Sequence, residues 1–284
     1  MNKISAIATC FALLLAGTAR AGVYMELGDL EVASGKLTPQ HKLYAQQGRL
    51  RMESVDGHTI ALFRDNAMVL LDPSSRSYRV LDKATMDQFA GKANDMMSAM
   101  QARLASLPPD QRAAMERAMQ GMGASMPGAA AAPKSHTYDA EDTGTSGSAG
   151  GRSCHLWNAL RDGKRTEQLC VVPTGSLPGM SDVEDSFRSA AAFSAQMQEA
   201  LQARGGLMGS IGANAGGALS QGLSLMQKIG GMPVATRRYD SSTGALAATE
   251  SVMTQWQQRS IDAAQFEIPA GYTRKEFMEG RRSQ

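Results

Sequence analysis

The stretch SCHLWNALRDGKRTEQLC, residues 153–170, holds the side chains best suited to chemistry in this chain: Cys154, His155 and Cys170. Thiolates and imidazoles bind zinc, and paired cysteines run thiol–disulfide exchange. The spacing argues against both. A structural zinc site takes four ligands, and one histidine beside two cysteines falls short. A redox pair is normally Cys-x-x-Cys, whereas fifteen residues separate these two. Other chemistry-bearing residues are scattered: His41, His58, His136 and His155 stand apart from any Cys/His/Asp cluster. Gly-x-Ser-x-Gly, His-Glu-x-x-His and phosphate-binding Gly-rich motifs do not occur. Glu141-Asp142 and Glu184-Asp185 are adjacent carboxylates, and sequence neighbours do not share a strand or helix face. No catalytic residue, metal ligand or cofactor is therefore expected, and the cysteines read as a structural pair if their compartment permits one.

The N-terminus points to such a compartment. Lys3 precedes the apolar run ISAIATCFALLLAG, and Ala19 and Ala21 supply small residues at a cleavage site before Gly22. Residues 1–21 thus have the pattern of a secretory signal peptide. Cys10 lies inside the apolar run, which argues against its being an acylated lipoprotein cysteine. No later stretch reaches the roughly 18 consecutive apolar residues of a membrane-spanning helix. The expected product is exported and periplasmic, where a disulfide persists. Removing Lys3 and Arg20 leaves 27 basic residues against 27 acidic ones, so charge gives no reason to expect nucleic-acid binding.

The elements that must position the cysteines follow from periodicity. Residues 23–82 read as short strands, 23–32, 41–54, 58–65, 67–72 and 77–82, between turn residues such as Asp56-Gly57 and Asp65-Asn66. Connections this short specify antiparallel pairing. Two helical segments are expected at about 84–126 and 181–230, with a flexible Ala/Gly/Ser linker at about 127–151 between the first and the hairpin. Strands return at 233–240 and 245–258. Strands and helices segregate along the chain, which predicts an α+β fold with residues 22–284 as a single domain. Arg49 and Arg51 alternate with Leu50 and Met52 and are expected together on a solvated strand face.

Within the hairpin, Arg161-Asp162-Gly163 suits a three-residue loop with Gly163 in the left-handed position. Leu160 then opposes Lys164, Asn158 opposes Thr166, Leu156 opposes Gln168, and Cys154 opposes Cys170. The spacing predicts a Cys154–Cys170 disulfide, with His155, Trp157 and Ala159 on the other face beside Leu169 and Val171.

The closing segment SIDAAQFEIPAGY, residues 260–272, resembles the final segment of the exported bacterial DUF4412-type family. GRLRMES, LLDPSSRSYRVLD and the cysteine hairpin resemble that family's strand–turn pattern. More distantly, the ending is similar to the closing strand of the periplasmic lipoprotein carriers and receptors LolA and LolB. The resemblance implies a curved antiparallel sheet, an incomplete barrel, with the Met-rich helices over its concave face. In the carriers that concavity holds acyl chains.

Eight of the 19 methionines lie between residues 86 and 126. Unbranched thioether side chains repack around varied shapes, as at promiscuous surfaces. Residues expected to face an apolar ligand are Met86, Phe89, Met96, Met100, Leu104, Trp157, Phe187, Met197 and Trp256. The expected activity is non-catalytic binding of a lipid, a lipoprotein acyl chain or an apolar peptide. The rival expectation is an envelope interaction or sensor module that binds a partner protein and has a filled core. Space beneath the helices separates the two: an open apolar cleft favours the first, and packed side chains favour the second.

Overall fold

A computed structural model describes residues 21–108, 110–111, 136–202, 224–240 and 242–276. The expected signal-peptide residues 1–20, residues 127–135 of the expected linker, and Met115, Met119, Met122 and Met126 lie outside the described residues. So do the side chains of Phe89, Met96, Met100 and Leu104.

The described strands form one open, mostly antiparallel twelve-stranded sheet. Its first half is a meander of β1 (Ala21–Glu31), β2 (Lys36–Gln46), β3 (Arg49–Ser54), β4 (Ile60–Arg64), β5 (Ala67–Asp72) and β6 (Ser77–Leu81). The expected single run 41–54 is two strands, because Gln47 and Gly48 take φ values of 53° and 74° and turn the chain. Asp65 and Asn66 do the same between β4 and β5, with φ values of 51° and 54°. Asn, Asp and Gly tolerate this left-handed region best, and two such residues in succession match the twist of a tight hairpin.

The second half contains β7 (Tyr138–Ala149), β8 (Arg152–Arg161), β9 (Lys164–Pro173), β10 (Gly231–Arg238) and β11 (Thr249–Ser260). β1 joins the halves by pairing with β2 on one side and β11 on the other. β12 (Thr273–Arg274) adds to β6 in parallel. β7 corrects the expectation of a linker reaching residue 151. Its Gly, Ser, Thr and acidic composition lacks strand periodicity, yet it pairs with β8 from Tyr138 to Ala149. It occupies one end of the strand order, where polar side chains are tolerated and acidic ones discourage further pairing.

Among the described residues, two long helices accompany the sheet: α1 (Lys83–Ala105) and α2 (Met180–Gln202). Asp82 caps α1 by accepting the Thr85 N–H at 2.7 Å. On α2, Val183, Ser186, Ala190 and Phe193 recur at three- and four-residue steps and are all buried. Val183 and Met180 pack with Val23, Met25, Val234, Met253 and Trp256 in the main core. Farther along, Ala190 and Phe193 meet Phe63, with the two phenyl centroids 5.7 Å apart. Each fully buried side chain of this kind contributes about 1.5–3 kcal/mol. The Ser186 hydroxyl is satisfied by backbone oxygens, at 2.9 Å from Arg49 and 2.7 Å from Asp182.

Described residues cover the opposite face in two places. Over the meander, Ile60, Leu62, Val69 and Leu71 pack with Ile268 and Tyr272 from the C-terminal segment. Arg49 and Arg51 also belong here, which corrects their expected solvation. The Arg49 guanidinium stacks 4.6 Å from the centroid of fully buried Phe266. Arg51 donates to the Gln265 carbonyl at 3.0 Å and to Glu53 at 2.8 Å. Over β8 and β9, Leu225 and Ile229 from helical residues 224–229 pack with Ala159, Leu169 and Val171.

Candidate functional site

The cysteine hairpin is bridged as expected, by a different register. Asp162 and Gly163, with φ values of 54° and 73°, form a two-residue turn, and Arg161 pairs directly with Lys164. A shift between Ala159 and Leu160 then leaves Thr166 as the extra residue, so Ala159 pairs with Glu167. Farther out, Leu156 faces Cys170, where Cys154 was expected. The disulfide therefore runs diagonally from Cys154 to Cys170, with Cα atoms 5.3 Å apart, within bridging range.

The expected faces survive because the two register errors sum to an even number. The shorter turn moves the pairing by one residue, and the bulge moves it by one more. Side chains alternate with period two, so the net shift leaves every residue beyond the bulge on its expected face. Cys154, Leu156, Cys170 and Val172 join the main core. Trp157, Ala159, Leu169 and Val171 lie together on the opposite face. Trp157 shares a small space of about 200 Å3 with His155, Asp142 and Ile229.

The residues expected to face one ligand are divided among these regions. Trp256 is buried in the main core, and its indole N–H donates to the Pro178 carbonyl at 2.9 Å. Phe187 is half-buried against the same core, and Met197 packs against Phe63, Ala190 and Phe193. Met86 is buried near the start of α1. Trp157 lies across the sheet from Trp256. Among the described side chains, then, the set does not converge on one cavity.

Sequence periodicity missed a larger feature at the turn end of β8 and β9. A cleft of about 910 Å3 opens there, with Tyr138, Arg161, Lys164, Leu225, Arg238 and Tyr239 in its lining. Three strands supply a row of side chains in register: Tyr138 pairs with Arg161, and Arg161 pairs with Lys164. Tyr138 is 44% exposed. Below the row, the Tyr239 hydroxyl donates to Oδ1 of buried Asn158 at 2.9 Å, which fixes both side chains.

Most charged side chains around the cleft already have ion-pair or hydrogen-bond partners. Asp139 pairs with Lys228, and Glu141 pairs with Arg165 at 3.1 Å. His136 Nδ1 lies 2.6 Å from Asp162 Oδ2, while the Thr137 N–H donates to Asp162 Oδ1 at 3.0 Å. These contacts, led by that of His136, hold the Asp162 carboxyl below its ordinary pKa. Asp240 is drawn down to about 2, first by the Ser242 hydroxyl and then by backbone N–H groups of Thr243 and Ser242. Arg238 is 3.7 Å from Glu167, near the limit of an ion pair. By contrast, the Arg161 and Lys164 side chains have no ion-pair or hydrogen-bond partner among the described residues.

Elsewhere, His41 Nδ1 is the one buried side-chain nitrogen or oxygen without a hydrogen-bond partner among the described residues. It sits on β2 beside the register shift in β1, away from the cleft. A third space, about 240 Å3, lies between α2 and residues 226–231, beside Met180, Glu184, Arg188 and Met226. No group of three or more metal-ligating side chains occurs among the described residues. Compared with known proteins, the chain matches no protein-family model and no curated protein.

Proposed function

We propose that this chain is an exported, non-catalytic binding module of the cell envelope, with a filled core and a surface recognition site. The observation that carries this reading is the packing beneath α2. Val23 and Val183 are 0% exposed, and Val234, Met25 and Met253 are 1% exposed. A ligand enclosed there needs room beside Phe187, Met197 and Trp256, and core side chains occupy that region. The open strand order with a helix laid on one face supports the curved-sheet, LolA/LolB-like architecture implied by the C-terminal resemblance. Within this proposal the chain shares that architecture and uses it without an acyl chain under α2. The apolar N-terminal run supports export, and the disulfide suits an oxidising compartment.

Native mass spectrometry of the protein purified from periplasm, with a fluorescent acyl-chain probe, tests the filled core. The expected result is unliganded mass and no saturable probe uptake. A co-purified lipid displaced stoichiometrically by the probe overturns the reading and restores an enclosed apolar ligand.

A further inference from the structure

We propose that the cleft at the β8–β9 turn binds a phosphate monoester, with Arg161 and Lys164 holding the phosphate and Tyr138 contacting the group that bears it. The inference rests on the surface-binding reading above and adds the chemistry of the ligand. Its starting point is an unfavourable local arrangement. Arg161 and Lys164 are directly opposed across β8 and β9. Like charges in that position repel and weaken strand pairing. Asp162-Gly163 already supplies the turn, so folding gains nothing evident from two cations beside it.

The nearest acid in sequence does not relieve the repulsion. Both carboxylate oxygens of Asp162 are engaged, Oδ2 with His136 and Oδ1 with Thr137. Asp139 and Glu141 are committed to Lys228 and Arg165. Asp240 is turned into its own loop by Ser242 and Thr243. Neither the Arg161 nor the Lys164 side chain therefore has a direct carboxylate partner among the described residues at one wall of the 910 Å3 cleft.

A phosphate monoester carries about −1.5 to −2 charge at neutral pH, matching two cations better than a single carboxylate does. The Arg161 guanidinium can donate two parallel N–H bonds to phosphate oxygens, while Lys164 adds a point charge. Tyr138 stands next in the row, opposite Arg161 on β7. Its exposed ring offers an apolar face to a sugar or other ring carried by the phosphate. The cleft is also large enough for a ligand of that size. The phosphate can belong to a soluble sugar phosphate or to a lipid headgroup, and the recognition chemistry is the same.

Titration calorimetry with glucose 6-phosphate, with glucose as control, tests the soluble case. Vesicles of phosphatidylcholine with and without phosphatidic acid test the headgroup case. Saturable binding to the phosphate-bearing member of either pair is expected, and the pair that binds identifies the source. Arg161→Gln and Lys164→Gln should each weaken it at least tenfold, and added salt should weaken it further. Tyr138→Ala should reduce affinity for glucose 6-phosphate more than for inorganic phosphate. The ligand-free Gln variants should melt no lower than the parent, because each removes a repulsive pair. Absence of binding to both phosphate-bearing probes overturns the proposal, as does unchanged affinity in both Gln variants or a lower ligand-free melting temperature in them. The acyl-probe experiment reads the core separately, so either idea can fail without the other.

Discussion

Removing the Cys154–Cys170 bond tests the hairpin most directly, and its effect divides into two measurable parts. The bond spans a sequence separation of 16. Constraining the unfolded chain over a loop of that length is worth about 3 kcal/mol. The Asp162-Gly163 turn already favours bringing the strands together, so the realised constraint should be smaller, about 1–3 kcal/mol. Both sulfurs are also buried, with Cys154 and Cys170 at 4% and 3% exposure. Cys154→Ala with Cys170→Ala therefore adds a packing loss of about 1–2 kcal/mol that reduction of the parent avoids. Urea unfolding followed by tryptophan fluorescence should show reduced parent below oxidised parent, and the double Ala variant below both. The slope against urea should rise on losing the bond, because the freed unfolded chain exposes more surface. Thiol titration after unfolding without reductant gives an independent count: no thiol should react in the chain from Gly22 onward, and only Cys10 where residues 1–21 are retained. Reaction of Cys154 and Cys170, or a double variant within about 0.5 kcal/mol of the oxidised parent, would refute the stapled hairpin.

Two further tests address the opposite face and the turns. Phe266→Ala should cost about 3–5 kcal/mol, because the ring is fully buried beneath Arg49 and its removal leaves a cavity; a loss under about 1 kcal/mol by urea unfolding would mean that the C-terminal segment is not packed there. Asp240, held to about 2 by Ser242 and Thr243, stabilises the folded chain above the ordinary carboxylate pKa of about 4. That contribution should fade as pH falls from about 4 through about 2, so the stability gap between parent and Asp240→Asn should close over the same window. A gap constant with pH would assign the effect to shape alone.

Much of the meander was legible because its turns at Asp56-Gly57 and Asp65-Asn66 carry their own local chemistry, whereas the turn at Gln47-Gly48 carries less and the run 41–54 reads as one strand. Asp65-Asn66, and Asp162-Gly163 in the cysteine hairpin, favour left-handed backbone, and apolar alternation on either side sets the faces. β7 was illegible for the complementary reason. Between Asp142 and Ser146 its register with β8 breaks, and the Thr143 hydroxyl bonds the Leu156 carbonyl at 2.7 Å. An end strand held by ladder hydrogen bonds needs no apolar face, so periodicity gives no signal. Arg49 and Arg51 failed differently. Their period-two spacing correctly placed them on one face, but the segment that covers that face lies more than 200 residues later. Alternation reports which residues share a side; it carries no information about what arrives to cover that side.

The same separation explains why the apolar candidates and the cleft diverged. Met197 and Trp256 stand at helical and strand spacing, and that spacing marks burial in a core at least as well as it marks contact with a ligand. The structure places Met197 against Phe63 and Phe193, and Trp256 against Met25 and Val183. Tyr138, Arg161 and Lys164 have no common periodicity, since one comes from a segment read as linker and the others flank a turn. Their relation exists only through two strand registers, Tyr138 with Arg161 and Arg161 with Lys164. A one-residue change in either pairing would move Tyr138 or Lys164 to the opposite face and dissolve the row. The two-residue turn that helped displace the expected cysteine pairing is thus the feature that brings Arg161 opposite Lys164 in the proposed phosphate site. Under the three-residue loop, Lys164 would have faced Leu160, and the two cations would not have met.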